Sequence, residues 1–498
     1  MFYTSTRDRS VRVTASQAIA QGISKEGGLF VPELIPAVSL GDIEDMVALS
    51  YIERAKKILR LYLSDFTDEE LGACVEGAYS AEKFSSPKIA PVVNIGGNEN
   101  ILELWHGPTC AFKDMALQLL PYLMTVAAKK NADGKEIVIL VATSGDTGKA
   151  ALEGFKDVEN TRILVFYPND GVSPMQKLQM TTQEGGNVAV CAINGNFDDA
   201  QSAVKEIFTD KEIERRLAEK NMMFSSANSI NWGRLVPQIV YYFSAYCDLL
   251  ESGSIKAGEA MNVVVPTGNF GNILAAYYAK CMGLPVKKLI CASNSNNVLT
   301  DFISSGTYDR NRAFYTTTSP SMDILISSNL ERLLYLLSGE NADRVGAYME
   351  QLSAQGKYTV SADIFEKIKE NFAAGFCDDE HVDAAIKSLF GRENYLCDTH
   401  TAVAVNVYEA YVKETGDDLP TVIDSTASPY KFSASVLRAL CDGKTDASDE
   451  FGMVQELCKA TGCGIPNPLA SLEGKQVRFT QVCDRKDMCE MVFKLLKI

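Results

Sequence analysis

The strongest constraint on this chain is a repeated pattern of short, uninterrupted apolar runs, each followed by a polar or glycine-bearing loop and then a helical segment. Residues 137–142, 162–167, 187–193, 261–265 and 286–292 read as strands, and 149–156, 197–220 and 272–282 read as helices between them. Strands without polar alternation are buried on both faces, so they belong in a mostly parallel sheet covered by helices. The predicted fold class is therefore α/β. In such sheets ligands bind at the carboxyl ends of strands, which singles out the loops at 143–148 and 266–271. Asp133-Gly134 marks a turn, and Ser173-Pro174 an N-cap followed by proline at the first helical position. Residues 330–395 show helical patterns at 330–337, 342–352 and 364–372 with no strand between them, which predicts a helical insertion. The α/β rhythm returns with a helix at 401–412, a strand at 421–424 and a helix at 430–441. The first 90 residues mix helical patterns with Gly27-Gly28-Leu29-Phe30-Val31-Pro32 and form a domain of their own. The expected division is 1–90, 91–329, the insertion 330–395, and 396–498 completing the central domain.

A chain of 498 residues is too long for one compact module. Its 48 basic against 64 acidic residues leave a net charge of −16, which argues against general binding to nucleic acid or an anionic membrane. A phosphorylated small molecule stays compatible where basic groups gather locally. The longest apolar runs fall far short of the ~20 residues of a membrane span. The amino terminus lacks the apolar core of a signal peptide, so the cytoplasm is the expected compartment. Thirteen cysteines without any Cys-x-x-Cys read as reduced, buried thiols. Three histidines, His106, His381 and His400, have no metal-ligand spacing, and no metal is expected.

Three stretches carry chemistry. In His106-Gly-Pro-Thr-Cys-Ala-Phe-Lys-Asp114, Lys113 is set among Ala111, Phe112, Met115 and Ala116. Desolvation lowers a lysine's pKa and exposes a free amine able to condense with an aldehyde. The competing reading is a lysine that reaches solvent and pairs with Asp114. Pro266-Thr-Gly-Asn-Phe-Gly-Asn272 follows a strand and opens a helix, so its amides and the helix dipole suit a phosphate. Thr143-Ser-Gly-Asp-Thr-Gly-Lys-Ala150 fails as a nucleotide P-loop, because Thr143 replaces the first glycine and Ala150 the hydroxyl residue. Its hydroxyls and amides suit a carboxylate.

A Schiff-base lysine, a phosphate cradle and an anion loop in this order resemble threonine synthase, of the fold-type-II pyridoxal-phosphate enzymes. His106 to Asp114 is similar to that family's cofactor-lysine motif, and Gly268-Asn-Phe-Gly-Asn272 to its cofactor-phosphate loop. Ser144-Gly-Asp-Thr-Gly148 is similar to its substrate-carboxylate loop, where dehydratase relatives usually carry asparagine at the place of Asp146. Gly27 to Pro32, Ser226-Ala-Asn-Ser-Ile-Asn231 with Arg234, His400-Thr-Ala-Val-Ala404 and Ser425-Thr-Ala-Ser-Pro-Tyr-Lys-Phe432 extend the resemblance over most of the chain. Ser428 departs from the histidine often found at its place.

The resemblance implies conversion of O-phospho-L-homoserine and water to L-threonine and phosphate with pyridoxal 5'-phosphate. Lys113 is then both cofactor lysine and proton shuttle. Gly268, Asn269, Phe270, Gly271 and Asn272 hold the cofactor phosphate, and Thr426 the ring nitrogen. Thr143, Ser144, Asp146 and Thr147 bind the substrate carboxylate. Lys149, Asn228, Ser229 and Arg234 are candidates for the substrate phosphate, ahead of Ser173 and Lys177; a helix cap or solvated charge is the competing reading for each. His106 orients the loop before Lys113, and His400 closes a helix N-terminus. The rivals are a serine/threonine dehydratase of the same fold, which needs no second phosphate site, and a catalytically silent relative. The partner is a small molecule; monomer and homo-oligomer both stay open.

Overall fold

The apolar runs form strands that assemble into two sheets. The computed structural model describes residues 1–131, 134–143, 145–170, 172–195, 197–444, 447 and 449–498. One sheet has the spatial order Phe372–Phe376, Val286–Ser293, Met261–Pro266, Thr421–Ser425, Glu99–Glu103, Val92–Asn94. Its neighbours run parallel except for the final antiparallel pair. The other has the order Val482–Asp484, Val188–Asn194, Thr161–Pro168, Glu136–Ala142, Met222–Ser225 and is parallel throughout. Met261–Pro266 is buried at every position, which is why its sequence shows no polar alternation.

Four expectations need correction. The helix expected over 197–220 is two, Phe197–Thr209 and Lys211–Glu219. Asp210 parts them, its carboxylate accepting from the N–H groups of Glu212 and Ile213 at 2.8 and 3.1 Å. The stretch 330–395 is not purely helical: Phe372–Phe376 is an edge strand of the six-stranded sheet, in register from Leu289↔Phe372 to Ser293↔Phe376. Ala373, Ala374 and Gly375 have little strand propensity, so tertiary pairing decides this element. A second strand, Lys357–Thr359, pairs with Thr307–Asp309. The segment 396–498 serves both sheets, since Thr421–Ser425 lies within one while Val482–Asp484 edges the other. Finally, the helix expected from 430 begins as a 3-10 turn, Pro429–Phe432, before Ser433–Leu440. The turn at Asp133 lies outside the described residues.

The amino-terminal residues build a small antiparallel sheet from Val13–Thr14, Phe2–Ser5 and Phe30–Pro32. Tyr3 and Tyr62 pack on Trp232 at ring-centroid distances of 5.4 and 5.5 Å. Trp232 opens the buried helix Trp232–Ser252, so this domain rests on the start of a helix that also carries Arg234. A buried ion pair, Arg54 to Asp248 at 2.7 Å, fixes the far end of the same contact. Among the described residues no helix is long and apolar enough to cross a membrane.

Candidate active site

Lys113 is placed by backbone pairing. The Phe112 N–H donates to the Thr426 carbonyl at 2.8 Å, and the Ser428 N–H donates to the Cys110 carbonyl at 3.0 Å. Ala111 and Ala427 oppose each other between these bonds. This clamp brings Thr426, just past the end of Thr421–Ser425, beside Lys113. Asp114 does not pair with the lysine. It is buried and accepts from the Thr109 N–H and Oγ1 at 2.8 and 2.7 Å, while burial pushes its carboxyl up to about 6. The Lys113 amine, its side chain 12% exposed, donates to Ser321 Oγ at 3.1 Å and lies 3.8 Å from Asp146 Oδ2. Burial pulls it down to about 8; Asp146 opposes that fall, and the charges of Lys431 and Arg234 deepen it.

Asp146 has a different part from the one expected. It opens the helix Asp146–Phe155 at the carboxyl end of Glu136–Ala142, but its carboxylate is buried and already engaged. Lys431 Nζ and Gln176 Nε2 donate to Oδ1 at 2.7 and 2.9 Å, and Ser321 Oγ donates to Oδ2 at 3.3 Å. Burial opposes its charge, but the ammonium groups of Lys431 and Lys113 hold the carboxyl well below the usual range. An ionised carboxylate repels a second one, so the Asp146 side chain serves as counter-ion of two lysines, and its backbone amide is what remains to face a substrate carboxylate. Thr143 Oγ1 accepts from the N–H groups of Gly145 and Gly148 at 3.0 and 2.8 Å and closes the turn. Thr147 is half-buried in the first helical turn, and Ser144 lies outside the described residues. Lys149 turns to Glu153 at 2.9 Å and to Gln183, so its charge is not directed at a phosphate. Ser173 caps Pro174–Thr181, and Lys177 binds Asn169 Oδ1 at 3.0 Å.

Lys431 is fully buried and also donates to the Thr109 carbonyl at 3.0 Å. Lys431→Met removes a repelling charge from Lys113 and leaves Asp146 to it alone, so the Lys113 pKa rises. The pH dependence of Lys113 reductive methylation in cofactor-free protein measures this, and an unchanged profile would break the assigned triangle. Stability falls as well, because Asp146 loses its 2.7 Å partner and keeps only Lys113 at 3.8 Å and Gln176.

The loop Gly268–Asn272 follows Met261–Pro266 and leads into the helix Gly271–Met282. A Cβ at Gly268 would lie 2.6 Å from the Ser321 carbonyl oxygen, so only glycine fits there. Phe270 adopts a left-handed backbone (φ 62°) although it is not glycine, a strain that turns the loop. Asn269 is exposed. The Asn272 side chain points into the core: its Oδ1 accepts from Tyr241 and from Tyr242, the latter at 2.6 Å, and its Nδ2 donates to Asp424 Oδ2 at 2.9 Å. Asn272 thus offers a backbone amide to an anion, and its side chain is structural. Asp424 Oδ1 has no partner among the described residues, and burial pushes this carboxyl up to about 7 although Tyr242 and Asn272 donate to it. The folded state therefore binds its proton more tightly than the unfolded state, whose carboxyl titrates at the ordinary aspartate value near 3.8. Stability from this group is greatest at acid pH and falls as pH rises from about 4 to about 7. Asp424→Asn removes that slope, so its melting temperature relative to the parent is higher at pH 8 than at pH 5; equal differences at both would overturn the assignment.

Arg234 is buried and donates from Nη1 to the Ala227 carbonyl at 2.6 Å. Its Nε is buried without a partner, and among the described residues no carboxylate pairs with the guanidinium. Burial alone pulls it down to about 10. Asn228 and Ser229, both half-buried, lie in the loop immediately before Trp232–Ser252. A desolvated guanidinium with a free N–H, no counter-ion and a helix N-terminus beside it is built for an anion.

Sequence reasoning missed Lys431, Gln176 and Ser321. Lys431 stands inside the 425–432 motif, which was its signal; nothing in the sequence marks Ser321. The Ser321 N–H donates to His400 Nε2 at 3.1 Å, and His400 Nδ1 faces Asp398 at 2.7 Å, so the proton sits on Nδ1. His106 bridges Glu103 and Ser85 at 2.8 and 3.1 Å and stacks on Trp105. No group of three His, Cys, Asp or Glu suited to a metal occurs among the described residues.

An aromatic aldehyde phosphate fits this geometry, with a depressed amine and a glycine-bearing helix-start loop joined through Ser321 and the Thr426 backbone paired next to Lys113. Family models match along the chain: threonine synthase N terminus over residues 2–79, pyridoxal-phosphate dependent enzyme over 95–423, and threonine synthase C-terminal over 401–492. The human protein threonine synthase-like 1 is 42% identical over 435 residues, 85% of this chain but only 58% of its own length. The chain thus spans under three fifths of that relative. Threonine synthase of Pseudomonas aeruginosa is 39% identical and covers 88% of this chain and 90% of itself; that of Saccharomyces cerevisiae is 37% identical over 98% of each. The solved structure of pyridoxal-phosphate-bound threonine synthase from Brucella melitensis superposes with a TM-score of 0.86 at 36% identity over the whole of both chains. The yeast enzyme gives a TM-score of 0.88 at 34% identity, covering 100% of this chain and 98% of that one. By its sequence, its architecture and the arrangement around Lys113, this chain belongs to the threonine synthase family of fold-type-II pyridoxal-phosphate enzymes.

Proposed function

We propose that the chain converts O-phospho-L-homoserine and water to L-threonine and inorganic phosphate. The observation that carries this reading is Arg234, an unpaired buried guanidinium whose charge reaches Lys113. It supplies the second anion site that a substrate with its own phosphate requires and that a serine or threonine dehydratase does without.

The Gly268, Asn269, Phe270, Gly271 and Asn272 amides hold the cofactor phosphate, with Lys113 and Thr426 along the rest of the cofactor. Pyridoxal 5'-phosphate, when bound, supplies the electron sink that lets substrate carbons release protons. The backbone amides of Asp146 and Thr147 and the Thr147 hydroxyl hold the substrate carboxylate, while the Gly145 and Gly148 amides stay on Thr143 Oγ1. Arg234, Asn228 and Ser229 hold the substrate phosphate. Lys113 Nζ accepts protons from the α- and β-carbons and returns protons to the γ- and α-carbons. The γ-carbon–oxygen bond breaks with its electron pair leaving on phosphate, and a water oxygen bonds to the β-carbon while the proton that water gives up ends on the released phosphate. Asp146 keeps the Lys113 amine oriented and balances its charge as it changes. The partner is this small molecule, and thirteen unbridged cysteines suit a reducing compartment such as the cytoplasm.

Purified protein given O-phospho-L-homoserine should release phosphate and threonine in equal amounts. Keto acid formed from threonine, with no phosphate released, would favour the dehydratase, and absence of both products the silent relative.

A further inference from the structure

Phosphate-binding loops aim their N–H groups at the anion, which leaves their carbonyls facing the other way and in need of donors. Here the donors for both anion loops come from one short segment. Ser327 Oγ donates to the Gly268 carbonyl at 2.7 Å. The Asn329 N–H and its Nδ2 each donate to the Asn269 carbonyl at 3.1 Å, and the same Nδ2 donates to the Ser229 carbonyl at 3.2 Å. Asn329 therefore touches the backs of the cofactor-phosphate loop and of the Asn228–Arg234 loop together.

Its amide orientation is set by Arg332, which is wholly buried with no acidic partner among its hydrogen bonds. Arg332 Nη1 donates to Asn329 Oδ1, Nη2 to the Ile230 carbonyl at 2.6 Å, and Nε to the Phe30 carbonyl at 2.9 Å. A guanidinium can only donate, so it fixes Asn329 with oxygen toward itself and the NH₂ toward the two loops. Burying a cation among carbonyls is unfavourable unless its geometry is needed.

We propose that Asn329, oriented by Arg332, is a positioning residue that holds the cofactor-phosphate loop and the substrate-phosphate loop in one bracket, so that both anion sites form together. This rests on the reading of Arg234 as the centre of the substrate-phosphate site. Asn329→Asp is nearly isosteric and keeps a partner for Arg332, but it faces two carbonyls with an acceptor where a donor stood. The bracket then opens although the packing is retained.

Two binding constants test it without turnover: release of pyridoxal 5'-phosphate followed by absorbance, and inorganic [32P]phosphate binding to the cofactor-loaded enzyme by equilibrium dialysis. Asn329→Asp should weaken both about ten-fold or more, as expected for reversing a buried hydrogen bond to each loop. Ser327→Ala, whose hydroxyl bonds the Gly268 carbonyl, should weaken cofactor retention alone, and Arg234→Met should weaken phosphate binding more than cofactor retention. If Asn329→Asp changes one constant or neither, the bracket is wrong. If Arg234→Met leaves phosphate binding intact, the site reading beneath it is wrong instead. Should Asn329→Asp fail to fold, Arg332→Lys keeps the charge without the three-way fork; paired weakening then supports the bracket, and unchanged constants overturn it.

Discussion

On the proposed function, Lys113→Ala should lower turnover of O-phospho-L-homoserine by about 10⁴-fold or more, because that reading passes each successive proton transfer through one amine. The variant nevertheless folds. Asp146, among the described residues the one carboxylate paired with that amine, keeps its 2.7 Å bond to Lys431 and its bond to Gln176, so its buried charge is not orphaned. The Ser321 hydroxyl keeps Asp146 Oδ2 as acceptor. Removing an amine already pulled down to about 8 by burial also relieves a desolvation penalty. Phosphate release measured beside a thermal melt separates the two effects. Turnover within about ten-fold of the parent would take Lys113 out of the chemistry, since a positioned general acid–base contributes 10²–10⁴-fold.

Arg234→Met lowers kcat/KM for O-phospho-L-homoserine by about 10²- to 10³-fold, as expected for truncating one partner of a buried charge pair. The loss should fall on substrate affinity first, since in the proposed site the guanidinium would meet phosphate in ground and transition states alike. Stability moves the other way. With no carboxylate attached to Arg234, deletion leaves only the Ala227 carbonyl short of a donor, while the burial of an uncompensated cation ends. The ligand-free variant should melt no lower than the parent. Initial rates over a wide substrate range, with a melt in the absence of phosphate, check both halves. A substrate-affinity change below about three-fold would assign Arg234 a purely structural role, because a buried charge-assisted bond is worth more than that.

Much of the site is legible one residue at a time. Lys113 stands out because a lysine among Ala111, Phe112, Met115 and Ala116 has an abnormal environment whatever the fold. Gly268 and Gly271 mark a helix-start loop because their spacing after an apolar strand suits backbone amides to an anion. Asp146 and Lys149 show where such reading stops. Both lie in a loop of the right kind, yet Asp146 is claimed by Lys431, 285 positions later, and Lys149 by Glu153 and Gln183. The chemistry of a charged side chain depends on which partner reaches it first, and that partner came from another element. The strand Phe372–Phe376 was hidden for a related reason: its alanines and glycine have no strand preference until Val286–Ser293 offers an edge.

The α/β class, the apolar strands of the parallel sheets and the glycine-bearing loops after them were determined by sequence alone, because apolar periodicity and glycine placement act over a few neighbouring residues. Tertiary structure alone decided which charges cancel. It paired Asp146 with Lys431, left Arg234 without a counter-ion, and set Ser321 and Asn329 against loops far away in the chain. Electrostatic and hydrogen-bond strength falls steeply with distance, and distances between remote segments exist only once the sheets have packed.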